Sequence, residues 1–449
     1  MKRAAAALLA AVILSACEIL PAEVARELLP GQTATQYRVA DAALSQLIER
    51  HVDRPTSKQL VAGALDAIDA AIKAEGIEPA YDRPVLTGSQ QSDMAKLAAT
   101  IDLLAQKYPQ ASDPQTKAGL DRAKWLERVA TDGMAKSLKE CHTYFLPPDR
   151  AKTFNQPPQE YSGIGAQISP ARAGDTLPEI ATVFPNSPAE RAGLRSGDRI
   201  KSVDGVPVDG FTPEEVATRI RGTEGTTVTL VLVRAGAERT VPIVRARLVP
   251  PRVIMRDYES GKIGYVSISA FNGDVTRQTS EAVRALIAGG VQAIVLDLRN
   301  NPGGDLSAAQ DIGSIFTKGT LVQQIGRDGE KRPLRTNDKW YWPEAKPLVV
   351  LVNERSASGS EIVAAGVRAN GSGTLVGTRT AGCVGIGQPR TLPDDSLLLV
   401  TVARMIDAKT GEELNGQGLG VAPDVVVAQD PNAGDAQLDA AIATLRSRL

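Results

Sequence analysis

The chain has 449 residues, room for about two to four domains, and with 43% apolar and 23% charged residues it is ordinary globular material, not disordered polymer. Lysine plus arginine (51) against aspartate plus glutamate (52) leaves a net charge of −1, so no basic excess exists to neutralise phosphates and nucleic acid is not an expected partner. Two histidines, His51 and His142, and three cysteines, Cys17, Cys141 and Cys383, exclude a multi-histidine zinc site and any four-cysteine cluster.

The N-terminus reads as a secretory signal. Lys2 and Arg3 form a positive start, and Ala4 through Leu14 is an unbroken apolar run too short for a stable transmembrane helix. It closes on Leu14-Ser15-Ala16-Cys17, which resembles a bacterial lipobox, so residues 1–16 are expected to be removed and Cys17 to carry lipid. A plain signal peptide with a chance cysteine is the simpler alternative. The lipid-bearing signal implies an extracytoplasmic, membrane-anchored location, and past residue 20 no apolar run approaches the ~20 residues that span a bilayer.

From Gln36 to about Gly76 apolar residues recur at helical spacing: Val39, Ala42, Leu44, Leu47 and Ile48, then Leu60, Ala64, Leu65, Ile68 and Ile72. A further helix is expected near Met94–Lys107 between prolines, completing a helical region and linker over 17–117. Another, Ala118–Leu138, leads into Cys141-His142-Thr143-Tyr144, and Pro147, Pro148, Pro157 and Pro158 then mark a boundary.

Residues 157–247 form a β-rich module. Ile180–Val183 and Thr226–Val233 are strand-like, Ser187 and Pro188 suit the start of a short helix, and Val203-Asp204-Gly205 reads as a tight hairpin. The run Ser187-Pro188-Ala189-Glu190-Arg191-Ala192-Gly193-Leu194-Arg195-Ser196-Gly197-Asp198-Arg199-Ile200 resembles that of a PDZ domain of the bacterial protease type. The resemblance implies that backbone N–H groups around Ser162, Gly163, Ile164 and Gly165 hold a peptide carboxylate while the peptide adds a strand. A spacer of PDZ shape that binds nothing is the rival.

Beyond the module, strands and helices alternate. Ile263–Ile268, Ala293–Leu298 and Pro347–Val352 are strands, followed by helices Val275–Ala288, Asp305–Phe316 and Ser358–Arg368; Gly373–Val376 and Leu397–Val402 are expected to continue the same sheet. Continuous apolar strands argue for an α/β core with both sheet faces covered. Two strand ends carry chemistry. Asp297-Leu298-Arg299-Asn300-Asn301-Pro302-Gly303-Gly304 forces a sharp turn that exposes backbone N–H groups, suited to an anion or a developing oxyanion. Ser356-Ala357-Ser358-Gly359-Ser360-Glu361 puts serines at a strand–turn–helix corner, where a nucleophile is exposed; the same serines would also serve as a helix cap.

The two stretches in this order, after a PDZ module and a His-Thr segment, resemble the carboxyl-terminal processing (tail-specific) peptidases of family S41. Gly264-Tyr265-Val266, Val421-Ala422-Pro423-Asp424 and a closing helix at Gln437-Leu438 extend the match from about Gln36 to the C-terminus. The resemblance implies a peptidase core of the ClpP/crotonase-like kind made of 118–156 and 248–428, an inserted PDZ domain and a C-terminal helix within 429–449. It implies a serine endopeptidase acting on unfolded or C-terminally exposed polypeptide, with Ser358 as nucleophile, Gly304 and Gly359 as oxyanion-hole amides, and no metal or organic cofactor.

The chain departs from the family pattern at the base. Where the lysine-dependent branch has Thr-x-Gly-Lys-Gly, this chain has Thr380-Ala381-Gly382-Cys383-Val384, and no lysine lies between Lys346 and Lys409. That branch's aspartate position falls on Ala369. The other branch uses a histidine, which His142 in Glu140-Cys141-His142-Thr143 matches; its glutamate position corresponds to Gln417, with Glu412 and Glu413 close by. A histidine suits a base near neutral pH. With the lysine gone, a catalytically inactive S41-like peptide-binding protein is the alternative to a peptidase. Cys141 stands where the family has proline and Cys383 where it has the base lysine, so the resemblance implies a Cys141–Cys383 disulfide. Two buried free thiols, or a redox-sensitive Cys383, are the rivals.

Overall fold

The computed structural model describes residues 36–109, 121–154, 160–169, 171, 176–195, 197–341, 346–416, 418–428 and 435–449. Cys17 and the signal segment lie outside them, as does Gln417.

Four helices, Arg38–Arg50, Ser57–Ala74, Gln90–Lys107 and Arg122–Lys136, build the N-terminal region. Leu44 and Leu47, then Leu60, Ala64 and Ile68, then Leu97, Ile101 and Leu104 recur three or four residues apart, and with Leu126 they are fully buried between the helices. Thr56 and Asp121 cap two of these helices by accepting the Gln59 and Lys124 amides at 3.2 and 2.8 Å. The second and fourth helices cross where a Cβ on Gly63 would lie 2.3 Å from the Ser137 Cβ, which only glycine permits.

The core sheet runs in the order Val253–Tyr258, Ile263–Ile268, Ala293–Asp297, Leu348–Val352, Thr374–Gly377, Val425–Val426. All neighbours are parallel except the first pair. Ala293–Asp297 and Leu348–Val352 are buried along their whole length, as their unbroken apolar runs require. Ile294, Leu296, Val350 and Val352 face one apolar layer with helices Val275–Ala288, Leu306–Phe316 and Gly359–Ala369. Ala293, Val295, Val349 and Leu351 face the other, beneath the C-terminal helix Ala436–Arg446.

One expectation is corrected. Leu397–Val402 does not extend this sheet. It belongs to the strand Leu397–Asp407 of a second, antiparallel sheet with Tyr144–Leu146, Thr320–Gly326, Lys331–Arg335 and Gly385–Thr391. An apolar run reports burial, not which sheet buries it. The helical region covers this second sheet through Phe145, Leu392, Leu398 and Val400. Tyr144–Leu146 and Gly385–Thr391 pair with the same strand from opposite sides, at Leu399 through Tyr144 and through Pro389. This pairing carries the residues just before each strand, Cys141-His142 and Cys383, to the same end of the sheet.

The PDZ-like module is a separate sheet, Ala166–Ser169, Glu179–Val183, Arg199–Val203, Thr227–Arg234 and Ala237–Val244, with Val206–Pro207 on the third strand. It holds its own apolar centre, including Ile180, Ile200, Val216, Val228 and Leu230. Asp204 and Gly205, both at positive φ, make the hairpin turn.

Candidate active site

Ser358 stands between the buried strand Leu348–Val352 and the helix Gly359–Ala369, with φ +53° and ψ −112°. A non-glycine residue pays steric strain there and holds it only where the surroundings enforce it. The enforcement is visible. The Ser358 N–H donates to the Cys383 carbonyl at 2.8 Å and to Glu361 Oε2 at 3.0 Å. Ser356 Oγ donates to the Leu298 carbonyl at 2.8 Å and accepts the Asn353 amide at 2.9 Å, tying the turn to the neighbouring strand end.

Asn301, fully buried, fixes the Asn-Asn-Pro-Gly-Gly turn beside it. Its Nδ2 donates to the Ile268 carbonyl at 2.9 Å and its Oδ1 accepts the Gly303 N–H at 2.9 Å. Its carbonyl accepts Ser360 Oγ at 2.9 Å and the Ala357 amide at 3.0 Å. The Gly303 amide is therefore engaged, whereas the Gly304 and Gly359 amides have no intrachain acceptor among the described residues. Gly303 (φ +95°) abuts the serine so closely that a Cβ there would lie 2.7 Å from both the Ser358 Cβ and the Gly359 nitrogen. Free amides at a helix start beside the serine hydroxyl can stabilise an oxyanion.

His142 Nε2 lies 3.3 Å from Ser358 Oγ. On the other side of the ring, Nδ1 faces sulfur: Cys141 Sγ at 3.2 Å and Cys383 Sγ at 3.8 Å. Cys141 and Cys383 are joined in a disulfide, their Cα atoms 5.8 Å apart. For Nε2 to accept the serine proton, Nδ1 must carry the ring hydrogen. The disulfide thus sits where a Ser–His–acid triad has its carboxylate. Glu413 pairs with Arg404 at 3.1 Å and is not that carboxylate.

Glu140 supports the histidine from its backbone side. Its Oε2 accepts the His142 N–H at 2.7 Å and its Oε1 accepts Thr401 Oγ1 at 2.7 Å. His51, wholly buried at the end of the first helix, places Nε2 3.6 Å from Glu140 Oε1 and accepts the Asp53 amide on Nδ1 at 3.1 Å. Burial alone would raise the Glu140 carboxyl, but His51, Thr143, Thr401 and the His142 amide outweigh it and hold it at about 2. Burial lowers the His142 imidazole below its ordinary value of 6.5, and the Glu140 charge opposes this in part. A neutral imidazole at pH 7 results, as a general base requires.

Glu361, also wholly buried, is the second support that residue types alone leave unassigned. Besides the Ser358 amide it accepts Thr380 Oγ1 at 2.6 Å, the Gly382 amide at 2.8 Å and the Cys383 amide at 3.0 Å. Burial pushes its carboxyl up despite these four donors. The spacing Ser358-x-x-Glu361 is a capping-box signature and the one local signal that could have marked it.

The PDZ-like module holds a groove of about 740 Å³, lined by Tyr161, Gly163, Ile164, Gly165, Ile168 and Ala217 among others. Ser162 does not line it; its hydroxyl is buried and its backbone pairs with Arg247. The Ile164 and Gly165 amides have no intrachain acceptor among the described residues.

Residues 262–427 match the model of peptidase family S41, and residues 179–234 that of the PDZ domain. A carboxyl-terminal-processing protease of Synechocystis is 34% identical over 308 residues, 67% of this chain and 71% of that protein. The chain belongs to peptidase family S41. A Staphylococcus aureus protein named "Probable CtpA-like serine protease" is 31% identical over 346 residues, 76% of this chain. The match spans 66% of that relative's length. A crystal structure of an S41-family protein from Bacteroides fragilis, 20% identical, covers 83% of this chain and 99% of its own with a TM-score of 0.50, a likeness of fold.

Proposed function

We propose that this S41 protein is a serine endopeptidase that captures unfolded or C-terminally exposed polypeptide and cleaves it with Ser358 as nucleophile and His142 as base. The observation that carries the reading is the 3.3 Å approach of His142 Nε2 to Ser358 Oγ, on a serine held at positive φ. Ser358 Oγ attacks the scissile carbonyl as His142 Nε2 takes its proton, and the Gly304 and Gly359 amides receive the oxyanion. His142 then returns the proton to the leaving amine, and water hydrolyses the acyl-enzyme with the same histidine as base. The PDZ groove binds the substrate's C-terminal segment, its carboxylate on the Ile164 and Gly165 amides.

The protein acts outside the cytoplasm on a lipid anchor at Cys17. The signal-like segment with its Leu-Ser-Ala-Cys ending supports this, as does a disulfide, which persists in oxidising compartments. The absent base lysine favours a second reading, a protein of the same fold that binds peptide without cutting it. Turnover of an unstructured polypeptide decides. Cleavage by the wild type that is lost in Ser358→Ala supports the peptidase; binding through the PDZ groove with no cleavage by either supports the binder.

A further inference from the structure

Cys141 Sγ, Cys383 Sγ and His142 Nδ1 lie within 4.8 Å of one another, and nothing in the peptidase chemistry requires two sulfurs at that nitrogen. We propose that this cluster is a redox-gated site for a thiophilic divalent ion, Zn²⁺ above all, and that ion binding switches the active site off. The inhibitory part rests on the reading of His142 as base; the binding part does not.

The geometry fits a tetrahedral ion. With Zn–S near 2.3 Å and Zn–N near 2.0–2.1 Å, tetrahedral ligands lie about 3.6 Å apart for sulfur and nitrogen and about 3.8 Å for two sulfurs. The observed Sγ–Nδ1 distances of 3.2 and 3.8 Å bracket the first value. Only the sulfurs must part, and that is what reduction does. Asn415 Oδ1, 3.7 Å from Cys141 Sγ and fixed by the Val384 amide at 3.3 Å, or a water, completes the four. Two thiolates and one imidazole make a donor set that zinc favours and that magnesium and calcium do not.

The cluster survives reduction because the backbone holds it without the S–S bond. Cys383 is pinned at its carbonyl by the Ser358 amide (2.8 Å) and at its amide by Glu361 (3.0 Å). His142 is pinned by Glu140 at 2.7 Å, and the next residue, Thr143, binds the Thr401 amide at 3.0 Å. Cys141 is exposed, so a reductant reaches it. A dithiol supplies two electrons and two protons to the disulfide, becoming a cyclic disulfide itself and leaving two thiols. Zn²⁺ then displaces both thiol protons and takes the lone pair of Nδ1.

The last step is what disables the base. A neutral imidazole with metal on Nδ1 carries its hydrogen on Nε2. Nε2–H then faces Ser358 Oγ as a donor, and the serine proton has no acceptor. The oxidised protein keeps Nδ1 metal-free and Nε2 able to accept.

The test uses the full wild-type chain. One portion stays oxidised; another is reduced with a phosphine, freed of it without air, and both are titrated with Cd²⁺ while the sulfur-to-cadmium charge-transfer band is followed. The expected result is one ion per chain in the reduced protein, none in the oxidised protein, and an affinity loss of at least about tenfold in Cys141→Ser. No band in the reduced wild type, or an equal band in the oxidised protein, overturns the site. Polypeptide turnover is then measured on oxidised, reduced and reduced zinc-loaded protein. A fall of at least about tenfold on adding one equivalent of Zn²⁺, reversed by a chelator, supports the gating. Stoichiometric binding with turnover unchanged overturns it. Turnover absent in all three states refutes the peptidase reading, while the cadmium titration still judges the metal site.

Discussion

His142 presents Nε2 to the Ser358 hydroxyl at 3.3 Å and Nδ1 to the sulfurs of a disulfide. Sulfur accepts hydrogen bonds weakly, so the ring is oriented by packing and by its backbone, not by a carboxylate on Nδ1. His142→Ala is expected to lower kcat by about 10²–10⁴-fold with the fold intact, measured on an unstructured polypeptide and by circular dichroism. Loss of less than tenfold would assign the proton to another group.

The pH profile follows from the direction of the His142 shift. Burial lowers its pKa below 6.5, and the active form is the neutral one, so kcat/KM rises with pH through the lowered value. The acid limb is expected below pH 6.5. Because the Glu140 charge pulls the His142 pKa upward, Glu140→Gln is expected to move that limb to still lower pH. A limb above pH 6.5 would contradict the assignment.

Glu140 also links stability to pH. Its carboxyl is held at about 2 in the folded protein against an ordinary 4.5. Its contribution is fully present above pH 4.5 and is lost as pH falls toward 2, an amount of about 3 kcal/mol. Urea unfolding across this range is expected to show the loss in the wild type and a flatter dependence in Glu140→Gln.

Glu361→Ala removes the shared acceptor of the Thr380 hydroxyl and the Gly382 and Cys383 amides, whereas the Ser358 amide keeps the Cys383 carbonyl. At about 1–3 kcal/mol for each stranded buried donor, unfolding free energy is expected to fall by at least about 3 kcal/mol. Activity at low temperature should fall as well, because the serine's positive φ loses one of its restraints.

In the PDZ groove, a peptide ending in a free carboxylate is expected to bind more tightly than its amide by about 1.5–3 kcal/mol, read by calorimetry. Gly165→Ala should abolish the difference together with binding. Its φ is +81°, and a Cβ there would meet the Ser187 Cβ at 2.3 Å.

The core strands were legible because burial on both faces writes an unbroken apolar run, as in Leu348–Val352. Lys331–Arg335 was not legible: it is an edge strand whose one buried residue is Leu334. The expected strand Leu397–Val402 is the first part of Leu397–Asp407 but lies in the second sheet, because its pairing with Tyr144–Leu146 is a contact far apart in sequence. The nearness of His142 to Ser358 and of Cys141 to Cys383 was implied only by family resemblance, for no local pattern spans such separations. Glu140 and His51 stayed hidden for the same reason. Each is an unremarkable residue until the helical region folds against the second sheet.

In the proposed mechanism Ser358 is a nucleophile made reactive by His142. A fluorophosphonate probe, which phosphonylates an activated serine, tests it directly, with the modified residue mapped by mass spectrometry on the oxidised full chain. Label is expected on Ser358 in the wild type and none in Ser358→Ala, with labelling slowed by at least about tenfold in His142→Ala. No label on the wild-type chain, or label that persists in Ser358→Ala, would contradict it.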